Sequence, residues 1–269
     1  RYTVTVFCAE ITMPNPLDMH DRLVVVTGGA RGVGAGISRC FLEAGADVAI
    51  IGRTVPEQLP RGAGREATFW QADVRDHDQL SACFDAIVQQ YRRIDVLINN
   101  AGGAPHADAA TASPRFSESI IRLNLLAPLH CAQLANRVMQ LQDSGGTIIN
   151  IASVSAIRPS PGTAAYGAAK AGLVNLCTSL AIEWAPRVRV VAVIAGLVET
   201  EQAHLHYGDA AGIAAVGRTI PLGRMAVPED IANACLYLAS PLASYVSGTA
   251  ITVHGGGEAP AFQGPSNPG

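Results

Sequence analysis

The chain has 269 residues, 49% of them hydrophobic and 15% charged, enough apolar side chain to bury a sizeable core and too little charge for a disordered chain. A net charge of -3 and a pI near 6.2 give nucleic acid or an anionic membrane surface nothing to hold, so a small molecule is the expected partner. The six cysteines (Cys8, Cys40, Cys83, Cys131, Cys177 and Cys235) are far apart and form no C-x-x-C pair. They read as reduced core thiols in a cytoplasmic protein without a metal. No apolar run approaches the roughly 18 residues that a membrane span requires.

Residues 1–20 read as a loose arm, with a short β-like stretch before Pro14 and Pro16. A strand over 23–26 then runs into Thr27-Gly28-Gly29 and a helix over 33–44, followed by strands over 47–51 and 67–70. A helix over 78–91 leads to a strand at 96–99, a long helix over 115–141 and a strand at 147–152. A helix over 165–185, a strand over 188–194, a helix over 228–238 and a last strand over 250–253 complete the pattern. Strands that alternate with helices imply a parallel sheet, and strands with little polar alternation imply that helices cover both faces. The fold class is therefore α/β, a doubly wound, seven-stranded parallel sheet in one domain over 21–269. Residues 199–224 exceed the loops such a fold needs; they are either a lid over a site or a surface insertion.

Thr27-Gly28-Gly29-Ala30-Arg31-Gly32-Val33-Gly34 stands where the first strand feeds the first helix. Glycine there permits a tight turn and lets backbone N–H groups and the helix N-terminus approach a pyrophosphate. An ordinary tight turn looks similar, and the lysine of a P-loop is missing. The spacing of Thr27, Gly28, Gly32 and Gly34 resembles that of the short-chain dehydrogenases/reductases. Asn99-Asn100-Ala101-Gly102 matches a second motif of that family, and Asp73-Val74 its adenine-contacting pair. The resemblance runs over 23–257 and is nearest to β-ketoacyl-(acyl carrier protein) reductase-like members, which implies a Rossmann-type fold. It also implies cofactor contacts at Thr27, Gly28, Arg31, Gly32, Val33, Gly34, Asp73, Val74, Asn100, Ala101 and Gly102. No acid closes the second strand; Arg53 stands there, and with Arg31 it suits the 2′-phosphate of NADP(H) rather than the bare ribose of NAD(H). Either arginine read alone is also an ordinary surface residue.

Tyr166 and Lys170 are four residues apart, hence on one face of a helix, where the ammonium lowers the pKa of the phenol. Ser153 closes the fifth strand and Asn124 lies in the long helix. Taken singly these residues read as core, surface or capping groups. Together, and through the resemblance, they imply a catalytic set. Tyr166 is its acid/base, Ser153 holds the substrate oxygen, Lys170 binds the nicotinamide ribose, and Asn124 supports a water-linked proton path. Val198 and Thr200 are expected at the carboxamide. Two departures stand out, Ala195 where the family has proline and His254 where it has aspartate. His204, His206 and Tyr207 are expected to be solvated or substrate-facing rather than metal ligands.

The expected activity is hydride transfer between NADP(H) and a carbonyl or secondary alcohol. The alternatives are an NAD-dependent secondary alcohol or steroid dehydrogenase, and a catalytically silent NADP-binding sensor or scaffold. Gly103, Ala104, Ser155, Ile157 and Leu197 are expected to wall the substrate pocket. The resemblance implies a homotetramer, through the fourth and fifth helices, or a homodimer.

Overall fold

Residues 15–204 and 208–257 are described in a computed structural model of the chain. Seven strands form one parallel sheet in the order β5-β2-β1-β6-β7-β8-β9. They are β1 (Leu23–Thr27), β2 (Asp47–Gly52), β5 (Thr68–Gln71), β6 (Val96–Asn99), β7 (Gly146–Ser153), β8 (Val188–Ala195) and β9 (Ala250–Val253). Each expected strand is present. The helices are α1 (Gly32–Glu43), α2 (His77–Tyr91), α3 (Pro114–Ile121), α4 (Ala127–Met139), α5 (Ala164–Glu183), α6 (Ala210–Arg218) and α7 (Pro228–Ala239).

Alternate side chains of the strands enter two separate cores, which is why their sequences show so little polar alternation. Val24, Val26, Ile50 and Ile98 pack against Ile37 and Phe41 of α1 and Ile231 and Leu238 of α7. On the other face, Val25, Ile51, Leu97 and Ile148 meet Leu80, Phe84 and Ile87 of α2, Ala135 and Met139 of α4, and Leu180 of α5. Burying each of the larger side chains stabilises the fold by roughly 1.5–3 kcal/mol. Four of the cysteines, at 83, 131, 177 and 235, are buried in these cores; Cys8 lies outside the described residues.

The order of the sheet reverses between β1 and β6, since β1 pairs with β2 on one side and β6 on the other. A parallel sheet opens a crevice beyond the carboxyl ends of its strands at such a reversal. The turn from β1 to α1 and the loop after β6 both face it.

Besides α6, which falls in the segment read as a lid or insertion, three parts of the chain differ from the sequence reading. The helix expected over 115–141 is α3, a single wide π turn over Arg122–Leu126, and α4. Pro128 has no N–H to give to the carbonyl of residue 124, and the N–H of Ala127 instead reaches back five residues to Arg122 O. A two-residue hairpin, β3 (Arg61–Gly62) and β4 (Arg65–Glu66), turns on Ala63 and Gly64, both at positive φ. Alanine in that region gave the sequence no turn signal. Within the stretch read as a loose arm, Met19 is buried and its N–H bonds Ala44 O at 2.8 Å, while residues 1–14 lie outside the described ones.

Candidate active site

The floor of the crevice is built by close approach of backbone. Gly28 and Gly32 take positive φ, and the Gly28 N–H bonds Ile51 O at 2.8 Å, fixing the turn against β2. A Cβ on Gly34 would stand 2.2 Å from Gly28 O, so only glycine lets α1 begin there. Arg31, the residue capping α1, supplies no side-chain oxygen to the first amides of the helix. The Gly32 N–H is taken by the Glu201 carboxylate, so it is the next amides, at Val33 and Gly34, that with the positive end of the helix dipole are left for an anion.

Thr27 and Asn100 tie this turn to the loop after β6. Thr27 Oγ1 accepts from the N–H groups of Asn100 and Ala101, both at 3.0 Å, while Asn100 Nδ2 donates to Thr27 O and Gly28 O at 3.1 and 3.2 Å. Thr27 therefore lies beneath the floor. Asn99 points the other way, its Nδ2 donating to Pro128 O and to Asn150 Oδ1.

A groove of about 690 Å³ extends from this floor. Of the residues singled out in the sequence, Gly28, Arg31, Val33, Gly34, Arg53, Asp73, Val74, Asn100, Ala101, Gly102, Ser153, Tyr166, Lys170, Val198 and Thr200 line it. Gly32 does not: its N–H donates to Glu201 Oε1 at 3.0 Å, and it faces a second cavity of about 610 Å³ under residues 199–201. Neither the Arg31 nor the Arg53 guanidinium has a hydrogen-bond or ion-pair partner among the described residues. Asp73 carries Arg75 on its carboxylate, and the sequence reading passed over that arginine, although it too lines the groove. The Arg75 hydrogen bonds hold the Asp73 carboxyl below its ordinary range. The groove suits a dinucleotide: a cradle that a single Cβ would fill, helix amides for a pyrophosphate, and uncommitted cations at its far end.

At the other end stand Ser153, Tyr166 and Lys170. Ser153 closes β7, and its Oγ accepts from Ser155 N at 3.2 Å, which leaves its hydroxyl proton for another acceptor. Lys170 is not a surface residue. It is 3% exposed, donates to Ile151 O at 2.7 Å, and its Nζ lies 5.7 Å from the centroid of the Tyr166 ring. Burial pushes its pKa from 10.5 down to about 8.

Asn124 is buried on the π turn and does not line the groove. Its Oδ1 accepts from Gly103 N at 2.9 Å, and its Nδ2 donates to Gly103 O and Ile120 O at 3.0 and 2.9 Å. Asn124 Oδ1 and Lys170 Nζ nevertheless flank one glycine, 2.7 and 3.2 Å from the place a Cβ on Gly102 would take.

Gly196, which follows the departure at Ala195, packs against the other departure, His254. A Cβ on Gly196 would meet Cα and Cβ of His254 at 2.8 Å, and the Gly196 N–H bonds Val253 O at 2.9 Å. The segment beyond is pinned without proline by a bridge between Val198 and Ala226, with Glu199 N donating to Ala226 O at 2.8 Å. Of the expected substrate walls, Gly103 lines the groove, whereas Ala104 lines a smaller cavity of about 150 Å³ with Phe116 and Tyr166. Ser155, Ile157 and Leu197 line neither, and Ile157 is exposed. His204 is exposed with its Nδ1 3.0 Å from Glu201 O, while His206 and Tyr207 lie outside the described residues.

Comparison with known proteins agrees with this geometry. Residues 28–258 match the family model described as enoyl-(acyl carrier protein) reductase. The chain is 34% identical over 243 residues to the 3-oxoacyl-(acyl-carrier-protein) reductase FabG of Chlamydia trachomatis, covering 88% of this chain and 97% of that protein. It is 34% identical over 245 residues to the 3alpha-hydroxysteroid dehydrogenase of Mediterraneibacter gnavus, covering 88% and 97%. The ligand-free aldohexose dehydrogenase of Thermoplasma acidophilum superposes with a TM-score of 0.82 at 30% identity, covering 88% of this chain and 94% of that one.

Proposed function

Because this chain belongs to the short-chain dehydrogenase/reductase family, we propose that it is an NADP(H)-dependent oxidoreductase acting on a ketone or the corresponding secondary alcohol. The observation that carries the reading is the single groove with uncommitted Arg31 and Arg53 along one end and Ser153, Tyr166 and Lys170 at the other. Similarity to a ketoacyl reductase and to a hydroxysteroid dehydrogenase supports a substrate with an oxidisable C–O centre.

Bound nicotinamide supplies or accepts the hydride. The chain itself handles the proton and the oxygen. Ser153 Oγ, already accepting from Ser155 N, donates to the substrate oxygen and polarises the carbonyl. Tyr166 gives its hydroxyl proton to that oxygen during reduction and takes it back during oxidation. Lys170, as an ammonium beside Tyr166, favours the phenolate left after the transfer and would hold the ribose of a bound nicotinamide. Asn124 holds Gly103 and the widened helix turn in place, and so keeps the glycine strip after β6 against Lys170. Val198 and Thr200 line the groove, where the Val198 backbone and the Thr200 hydroxyl would hold the carboxamide of a bound nicotinamide.

The test is Tyr166→Phe. Removing the hydroxyl is expected to lower turnover of any accepted ketone by at least about a thousandfold, within the range attributed to a positioned acid/base, while NADPH binding changes less than threefold. Turnover within tenfold of wild type would remove Tyr166 from the reaction.

A further inference from the structure

We propose that Arg75 is a positioning residue for cofactor choice: by occupying the carboxylate of Asp73 it leaves the Arg53 guanidinium free for the ribose 2′-phosphate of NADP(H). The inference rests on the dinucleotide reading above and adds to it a residue that contributes to specificity without itself gripping the phosphate.

The sheet brings the three side chains together. β2 and β5 are paired neighbours with Gly52 opposite Gln71. Beyond that pair the Ala72 N–H donates to Gly52 O, and Gln71 Nε2 donates to Arg53 O, both at 2.9 Å. Arg53 and Asp73 thus leave adjacent strand ends side by side, and both line the groove. Asp73 is the one acidic side chain among the described residues that line it.

A half-buried carboxylate beside a guanidinium is its natural partner. Opposite charges so close attract, the more so where solvent is partly excluded. Were Asp73 to hold Arg53, the cation that a 2′-phosphate needs would already be neutralised. Arg75 takes that place. Its Nε donates to Asp73 Oδ1 at 3.0 Å and its Nη2 to Oδ2 at 2.6 Å, the bidentate fork that planar guanidinium and carboxylate groups favour. The Arg75 backbone N–H adds a second bond to Oδ1 at 3.0 Å. The loop is stiff at this point, because the Asp76 N–H bonds Asp73 O at 2.9 Å and the Asp76 side chain caps α2 by accepting from Asp78 N and Gln79 N. Arg53 is near enough to help Arg75 hold the Asp73 carboxyl low. Yet with Arg75 on both carboxylate oxygens the Arg53 guanidinium makes no hydrogen bond or ion pair among the described residues, and it remains with Arg31 as net positive charge at this end.

The experiment is fluorescence titration of NADPH and NADH into wild type, Arg75→Ala, Asp73→Asn and the double variant, read as the ratio of the two dissociation constants. The ratio cancels any contact Asp73 makes with the adenine that both nucleotides share. Arg75→Ala is expected to weaken NADPH binding about tenfold relative to NADH, the equivalent of losing one charged contact. Asp73→Asn alone is expected to change the ratio less than threefold, and the double variant to return to within threefold of wild type, since no carboxylate is left to capture Arg53. Arg75→Lys, which holds one carboxylate oxygen, is expected between wild type and Arg75→Ala. A loss that persists in the double variant would mean that Arg75 itself grips the phosphate, and equal loss for both nucleotides would make its role structural. Either result overturns the proposal. Wild type that binds neither nucleotide would overturn the dinucleotide reading and this inference with it.

Discussion

Lys170 has no carboxylate partner among the described residues. It donates a hydrogen bond to the carbonyl of Ile151 and lies by the Tyr166 ring, and burial draws its pKa down to about 8. If its ammonium holds the nicotinamide ribose, cofactor affinity falls as pH rises through about 8, and Lys170→Met removes that pH step along with most of the affinity; a flat wild-type titration from pH 6 to 10 would contradict the assignment. The sign for stability is opposite. Between about pH 8 and the ordinary value of 10.5 the unfolded chain carries a proton on this group that the folded chain lacks, so its contribution makes stability rise with pH there. Of the residues in the groove, Tyr166 and Lys170 were legible because an interval of four fixes a shared helical face. Arg75 was not, because nothing in the spacing separates an arginine that grips a neighbouring aspartate from one on the surface. Nor was the attachment of Glu201 to Gly32, which joins residues 169 positions apart.

At the scale of elements, the seven strands and most helices follow from apolar runs broken by glycine, proline and aspartate, and the sequence places them within a few residues. The long helix over 115–141 was legible as helical but not as broken. Its periodicity continues through the π turn, and the break depends on Pro128 removing one N–H while the Asn124 side chain takes the Ile120 carbonyl. Asn124→Ala strips a buried site of three hydrogen bonds and leaves Gly103 N and Ile120 O without their partner. We expect it to destabilise the fold by about 2–4 kcal/mol in urea unfolding, the scale of an unsatisfied buried network. A change below 0.5 kcal/mol would show that the turn does not depend on it. Helix α6 escaped the sequence reading because it is only nine residues long and lies in a segment rich in alanine and glycine. It is set instead by its cap, with Asp209 accepting from Gly212 N at 3.0 Å.

For the whole molecule, the arrangement turns on where the sheet reverses. Between β1 and β6 two loops separate, and the glycine turn, Asn100 and the uncommitted arginines gather at that opening, while the carboxyl end of β7 and the start of α5 bring Ser153 and Tyr166 to the same groove. That architecture was readable from alternation and motif order, and the curated relatives and solved structures share it over nearly nine-tenths of the chain. The charge balance within the groove was readable only in part, since it depends on which guanidiniums are already paired. The central claim, a dinucleotide site that selects NADP(H) through its arginines, is tested most directly by titrating NADPH and NADH into wild type and Arg53→Ala. We predict that wild type binds NADPH at least tenfold more tightly than NADH and that Arg53→Ala brings the two within about threefold, the loss of one charged hydrogen bond to phosphate. Equal or tighter binding of NADH by wild type would contradict the account.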